Sequence, residues 1–263
     1  MITLSSFTPA ETLLITEGTF PSLRQLLKVT FIDLFFKQVI KTESSVGDNK
    51  SSNSEKYILP GRNFYAYAPL PHEFVFIKVF EKYPNTHLLF RHVVELCYKN
   101  AGTKKKYLSL IKNSPSMQRL TKQTLLQKIT GNFSFTNNAA IIKQKLNQEL
   151  AKLERELPLL IEENKDEVVE IIKKIKGNLF LLVNIPFEKW DLIDKDILQQ
   201  INNHSKDNKS YYGCGGGVGC SGCSTWNSFN DYSSSFDSGC GGSDGNSGGG
   251  GDSGCSGCGG GGD

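Results

Sequence analysis

Over roughly the first 200 positions the apolar residues recur at helical spacing far more often than at strand spacing. The longest pattern is Ile142, Leu146, Leu150, Leu153 and Leu157, separated by four, four, three and four residues. That spacing draws one apolar stripe along a helix. Asn137 or Asn138 is placed to cap it, and Pro158 to end or bend it. About two heptads are too few to read as a coiled coil. Val168, Val169, Ile172 and Ile175 mark a further helix that stops near Gly177, and Trp190, Ile193, Ile197 and Ile201 mark the last one. Residues 179–183 are apolar throughout and fit either a buried strand or a helical turn.

The N-terminal pattern is punctuated more sharply. Thr8-Pro9-Ala10-Glu11 reads as an N-cap, a proline at the first helical position and a glutamate three residues after the cap. Leu13, Leu14 and Ile15 follow, and Gly18 ends the helix. A short second helix is expected over 22–28 and a third over 30–41. Residues 43–55 are Ser, Asn, Asp, Gly, Lys and Glu with one Val, a solvated loop. Residues 57–59 then suit a strand, 60–63 a turn and 64–67 a returning strand. Beyond Pro69-Leu70-Pro71, helices are expected from His72 to about Tyr83, over 88–98 and over 117–129.

The expected fold class is therefore mainly α. Three helices and a β-hairpin form a winged-helix-like domain over 1–69. A helical region follows over 70–204, then a linker and tail over 205–263.

Composition separates the tail from everything before it. Residues 213–263 hold 20 of the 26 Gly and 6 of the 7 Cys. They also hold five Asp and no Lys, Arg or Glu, so residues 1–212 carry the chain's +3 and the five charges the tail removes, a formal +8. A basic body with an acidic tail fits either an anionic partner or a solvated Lys-rich surface. The N-terminus has no basic stretch leading into an apolar run, which argues against a secretory leader. The most apolar runs, 31–36 and 179–187, fall far below the roughly 18 residues of a membrane helix. The expected compartment is a reducing cytoplasm, where thiols stay free or bind metal.

Thr8-Pro9-x-Glu11 with Leu13, Leu14 and Gly18, and Pro69-Leu70-Pro71-His72-Glu73 opening a later helix, together resemble an uncharacterised bacterial family. That family is known for a "near uncomplexed cysteine" domain upstream of a Gly/Cys-rich terminus. The resemblance covers about the first 130 residues plus the tail. The family has no established activity, so the resemblance implies an organisation and no reaction. Many of its members carry membrane-spanning segments, and the present sequence has no run long enough for one.

A winged helix would read DNA with its third helix, here 30–41. Phe31, Ile32, Leu34, Phe35, Phe36, Val39 and Ile40 leave only Asp33, Lys37, Gln38 and Lys41 to face a groove. The wing offers Arg62 and Asn63. Lys104, Lys105, Lys106, Arg119, Lys122 and Lys128 read first as a solvated face and only second as a nucleic-acid patch. Gly217-x-Gly219-x-x-Gly222 lacks the flanking strand and helix of a dinucleotide site. Gly245-Asn246-Ser247-Gly248-Gly249 lacks the strained turn of a nucleophile elbow. His72, His87, His92 and His204 show no ligand spacing and read as surface or cap residues. Cys97, among Val93, Val94 and Leu96, reads as a buried inert thiol.

The unusual chemistry lies in Cys214, Cys220, Cys223, Cys240, Cys255 and Cys258. Two C-x-x-C pairs, 220/223 and 255/258, can supply the four thiolates of a zinc site. The 31 residues between the pairs exceed the usual spacing of roughly 15–20. They contain no His. The glycine content makes disorder the default, with metal binding as the event that would order the segment. The leading expectation is a non-enzymatic interaction protein whose flexible tail is a handle for zinc, modification or a protein partner. A winged-helix DNA-binding regulator and a thiol- or metal-dependent enzyme are the alternatives.

Overall fold

The computed structural model describes residues 3–44, 56–125, 127 and 132–182. The described chain is mainly helical, with a small antiparallel sheet. A 3-10 turn, Thr3–Ser6, leads into α1 (Pro9–Glu17) and α2 (Leu23–Phe36). Strands β1 (Ile40–Ser44) and β2 (Lys56–Pro60) follow, then a 3-10 turn at Phe64–Ala66 and α3 (Phe74–Lys82). The short β3 (Leu88–Leu89) runs straight into α4 (Phe90–Ala101). Next come α5 (Lys104–Lys112), α6 (Pro115–Gln118), and the two-residue strands β4 (Thr121–Lys122) and β5 (Ser134–Phe135). Helices α7 (Asn137–Glu163) and α8 (Lys165–Ile175) lead to a last 3-10 turn, Lys176–Leu181.

Helix α1 begins with the expected capping box. Thr8 Oγ1 accepts from Glu11 N, and the Glu11 carboxylate accepts from Thr8 N at 2.7 Å. Ser22 and Gln25 build a second capping box at the start of α2. The helices expected over 22–28 and 30–41 are one continuous helix, because no Gly or Pro interrupts 23–36. It ends earlier than expected, through a double backbone clasp: Gln38 N donates to Phe35 O and Val39 N to Leu34 O. This Schellman arrangement leaves Gln38 at φ +54, where glycine is usual. The chain then leaves as β1, pairing Ile40 with Pro60 through Ser44 with Lys56.

The hairpin is thus formed by 40–44 and 56–60. Residues 64–66, expected as its returning strand, are a 3-10 turn, and the third strand comes from Leu88–Leu89 pairing with Tyr57 and Ile58. The described order is two helices and then the sheet, instead of three helices and a hairpin. The helix expected over 117–129 is replaced at its start by α6 and β4. Thr136, not Asn137 or Asn138, caps α7, which continues through Pro158 to Glu163. Residues 179–181 take the helical-turn alternative. The helix around Trp190 and the tail beyond 204 lie outside the described residues, as does nearly all of the 43–55 loop.

One core crosses residue 69. Phe31 of α2 stacks on Phe90 of α4 at 5.1 Å and tilts against Phe76 of α3 at 6.0 Å. Tyr107 of α5 is fully buried, and its hydroxyl donates to Thr30 Oγ1 at 3.0 Å. Helix α7 reaches back to the N-terminal turn, where the Glu149 carboxylate accepts from Thr3 N and Leu4 N at 2.7 and 2.9 Å. Asn178 Nδ2 grips the same turn through Leu4 O and Phe7 O.

Candidate functional site

The end of α2, the approach to α3 and the turn after α8 meet around buried charge. Lys37 Nζ lies 2.6 Å from Asp33 Oδ2, one helical turn earlier, and 2.8 Å from Glu73 Oε1. It also donates to the Tyr67 hydroxyl at 3.0 Å. That hydroxyl in turn donates to the Glu73 carboxylate, lying 2.8 and 2.7 Å from its two oxygens. Leu70 N donates to Glu73 Oε2, and Gly177 N to Asp33 Oδ1. The two carboxylates differ in character. Burial pushes the Asp33 carboxyl above its ordinary range despite Lys37. Burial opposes ionisation of Glu73 as well, but the Lys37 ammonium and neighbouring donors hold it below that range. Glu73 therefore keeps its charge, and Asp33 is the member displaced toward the neutral form. Every donor of this network ends on another member of it.

A second buried cluster adjoins the first. Glu11, at 1 % exposure, accepts hydrogen bonds from the hydroxyls of Ser114 and Ser116. His72 is fully buried and places Nε2 3.3 Å from Thr8 Oγ1, while its Nδ1 has no hydrogen-bond partner. Burial lowers the His72 pKa and keeps the ring neutral. Of the surface or cap roles expected for the histidines, this burial excludes the surface one for His72. The carboxylate, hydroxyls and imidazole resemble hydrolytic machinery in type, but not in connection. A serine nucleophile must hydrogen-bond its histidine, whereas His72 faces Thr8, whose hydroxyl caps α1.

Two clefts flank these clusters. One of about 450 Å³ lies between the end of α2, the turn after β2 and the end of α8, with Arg62, Tyr67 and Lys176 on its walls. The other, about 280 Å³, is reached by Glu11, Asp33, Ser116, Lys174 and Asn178. Asn178 is 2 % exposed, and its Oδ1 accepts no hydrogen bond.

The six thiols named from sequence, Cys214, Cys220, Cys223, Cys240, Cys255 and Cys258, lie outside the described residues. Among those described, no group of three or more His, Cys, Asp or Glu is placed to hold a metal ion. Cys97 is buried as expected, and burial raises its pKa. The helix assigned to DNA reading turns inward: Phe31, Ile32 and Leu34 are fully buried and Asp33 is 2 % exposed. The basic segment from Lys104 opens α5, with Lys105 and Lys106 exposed, and Arg119 and Lys122 are exposed further on. Arg62 and Asn63, named for the wing, instead border the larger cleft.

Sequence reasoning marked Glu11 only as a cap, and read Asp33 and Lys37 as outward-facing. The available signal was two opposite charges four residues apart, Asp33 inside the otherwise apolar run 31–36 and Lys37 directly after it. No helix among the described residues is long and apolar enough to cross a membrane. In comparisons with known proteins, the chain matches no family model, no curated protein and no solved structure.

Proposed function

We propose that the protein is a non-enzymatic interaction module whose helical body carries the Cys-rich segment 213–263 as a handle for zinc, for a modifying enzyme or for a protein partner. The division of the thiols supports this reading. Cys97 is buried, and desolvation holds it in the unreactive thiol form. The other six cysteines sit in sequence rich in Gly, Ser and Asp and supply two C-x-x-C pairs. The body's buried charges point the same way, since the donors of Lys37 are all used within their own network. A winged-helix DNA regulator is the weaker reading, because a reading helix needs a polar face free for the groove and 31–34 are packed inside.

The test is metal content and intact mass of the full chain and of a form ending at Tyr212, both purified under reducing conditions from the native cell. The expected result is about one zinc per chain, lost on truncation, or a mass increase confined to the tail cysteines. Six unmodified, metal-free thiols, together with an unchanged set of bound proteins after truncation, would overturn the proposal.

A further inference from the structure

The larger cleft carries four cationic side chains, Lys37, Arg62, Lys173 and Lys176, and no carboxylate among its lining residues. Two of the four are committed elsewhere. Lys37 is held by Asp33 and Glu73, and Lys173 pairs with Glu170 at 2.9 Å. The Arg62 guanidinium and the Lys176 ammonium are exposed, and no hydrogen bond or ion pair engages either among the described residues. The carbonyls of Lys37 and Gln38, just past α2, do not offset them, because protein donors already cap those two groups. Asn63 Nδ2 donates to Lys37 O at 2.8 Å and Asn63 N to Gln38 O at 3.0 Å.

The backbone singles out the same place. Gln38 and Lys176 are the two non-glycine residues with positive φ among those described, at +54° and +51°, and both line this cleft. Lys176 has ψ −132°, a combination that glycine adopts freely and lysine does not. Its neighbour explains how it is held there. Gly177 N donates to Asp33 Oδ1 at 3.2 Å, and a Cβ on Gly177 would come within 2.8 Å of Asp33 Cα. The chain is thus pressed against α2 at 177, and residue 176 takes the strained turn. Packing alone would favour glycine at 176. A lysine there points to a use for its side chain, since strain of this kind gathers at ligand sites.

We propose that this cleft binds a small phosphate monoester, with its dianionic group between Arg62 and Lys176 and its organic part against Phe36 and Ile172. Guanidinium forks match phosphate oxygens bidentately, and an ammonium adds a compact second charge. Phe36, packed edge-on against Phe180 at 5.3 Å, and the buried Ile172 give the site an apolar wall. A cavity of about 450 Å³ falls in the range of small-molecule sites. The site stands whether or not the Cys-rich segment binds metal.

The test is a calorimetric titration of the full chain with phenyl phosphate at fixed ionic strength, beside inorganic phosphate and phenol. Saturable binding of phenyl phosphate, tighter than that of either comparator, is expected. Arg62→Gln and Lys176→Gln should each weaken it about tenfold or more. Lys174→Gln, an exposed cation outside this cleft, should leave it unchanged. Lys176→Gly should melt at a higher temperature and bind more weakly, a pair of changes that a purely structural lysine would not produce. Absence of saturable binding, or equal weakening by Lys174→Gln, would overturn the proposal in favour of a diffuse cationic face. Binding of a DNA duplex through Arg62 without binding of phenyl phosphate would replace it with a nucleic-acid surface.

Discussion

At the scale of single residues, Gln38 occupies a conformation that any side chain beyond hydrogen opposes. Left-handed backbone costs a non-glycine residue about 1–2 kcal/mol, part of which a glycine loses again through its freer unfolded state. Gln38→Gly should therefore stabilise the chain by about 0.5–1 kcal/mol, read as a higher urea midpoint with unchanged slope. The same residue shows why the helix end was missed in sequence. Helix stops are recognised by glycine or asparagine at this position, and α2 uses glutamine, with Asn63 sealing the Lys37 carbonyl from 26 residues further on. Thr8 and Glu11, by contrast, were legible because both halves of their capping box lie within four residues. Asp33 and Lys37 were misread as outward-facing because their partners Glu73, Tyr67 and Gly177 are distant in sequence, so no local pattern shows that they are enclosed.

At the scale of elements, the Lys37 network joins α2 to the start of α3 and to the turn after α8. Removing the one cation would leave buried carboxylates without a counter-charge, a change that typically costs about 3–5 kcal/mol. Lys37→Met should lose stability in that range. The two acids should respond unequally. Asn at 33 still accepts from Gly177 N, and Asp33 already leans toward its neutral form. Gln at 73 loses the charge that faces Lys37 and one of the oxygens serving Tyr67 and Leu70. Glu73→Gln should therefore destabilise more than Asp33→Asn in urea unfolding, and the reverse order would contradict the assignment of charge. Helix α1 was readable from its local capping box and α7 from its apolar stripe. Of the sheet, β2 was expected at 57–59, but β1 was not: Ile40 to Ser44 fall at the end of an apolar run that reads as helix, and β1 is defined by its partner, β2, across an intervening loop.

At the scale of the whole molecule, stability should vary with pH through a buried lysine of α2. Lys28 is 8 % exposed, and burial together with Arg24 brings its pKa down to about 7. The unfolded chain keeps that proton up to about pH 10.5, so between pH 7 and 10.5 it binds more protons than the folded chain. Stability from this group therefore rises with pH across that window and is flat below it. A gain on the order of 1–2 kcal/mol from pH 7 to 9.5 is expected, measured by urea unfolding, and Lys28→Met should abolish the rise.

The clasp on the N-terminal turn has a consequence for the order of events during synthesis. Leu4 is held through its carbonyl by a side chain 174 residues later. At roughly 5–20 residues per second, that partner reaches the growing chain about 10–35 s after Leu4 does. Until then Leu4 and Phe7 lack the amide that fixes them, and the apolar surface they cover stays open to other contacts. The ribosome-bound chain thus fixes the turn at Leu4 and Phe7 only after Asn178 has been added.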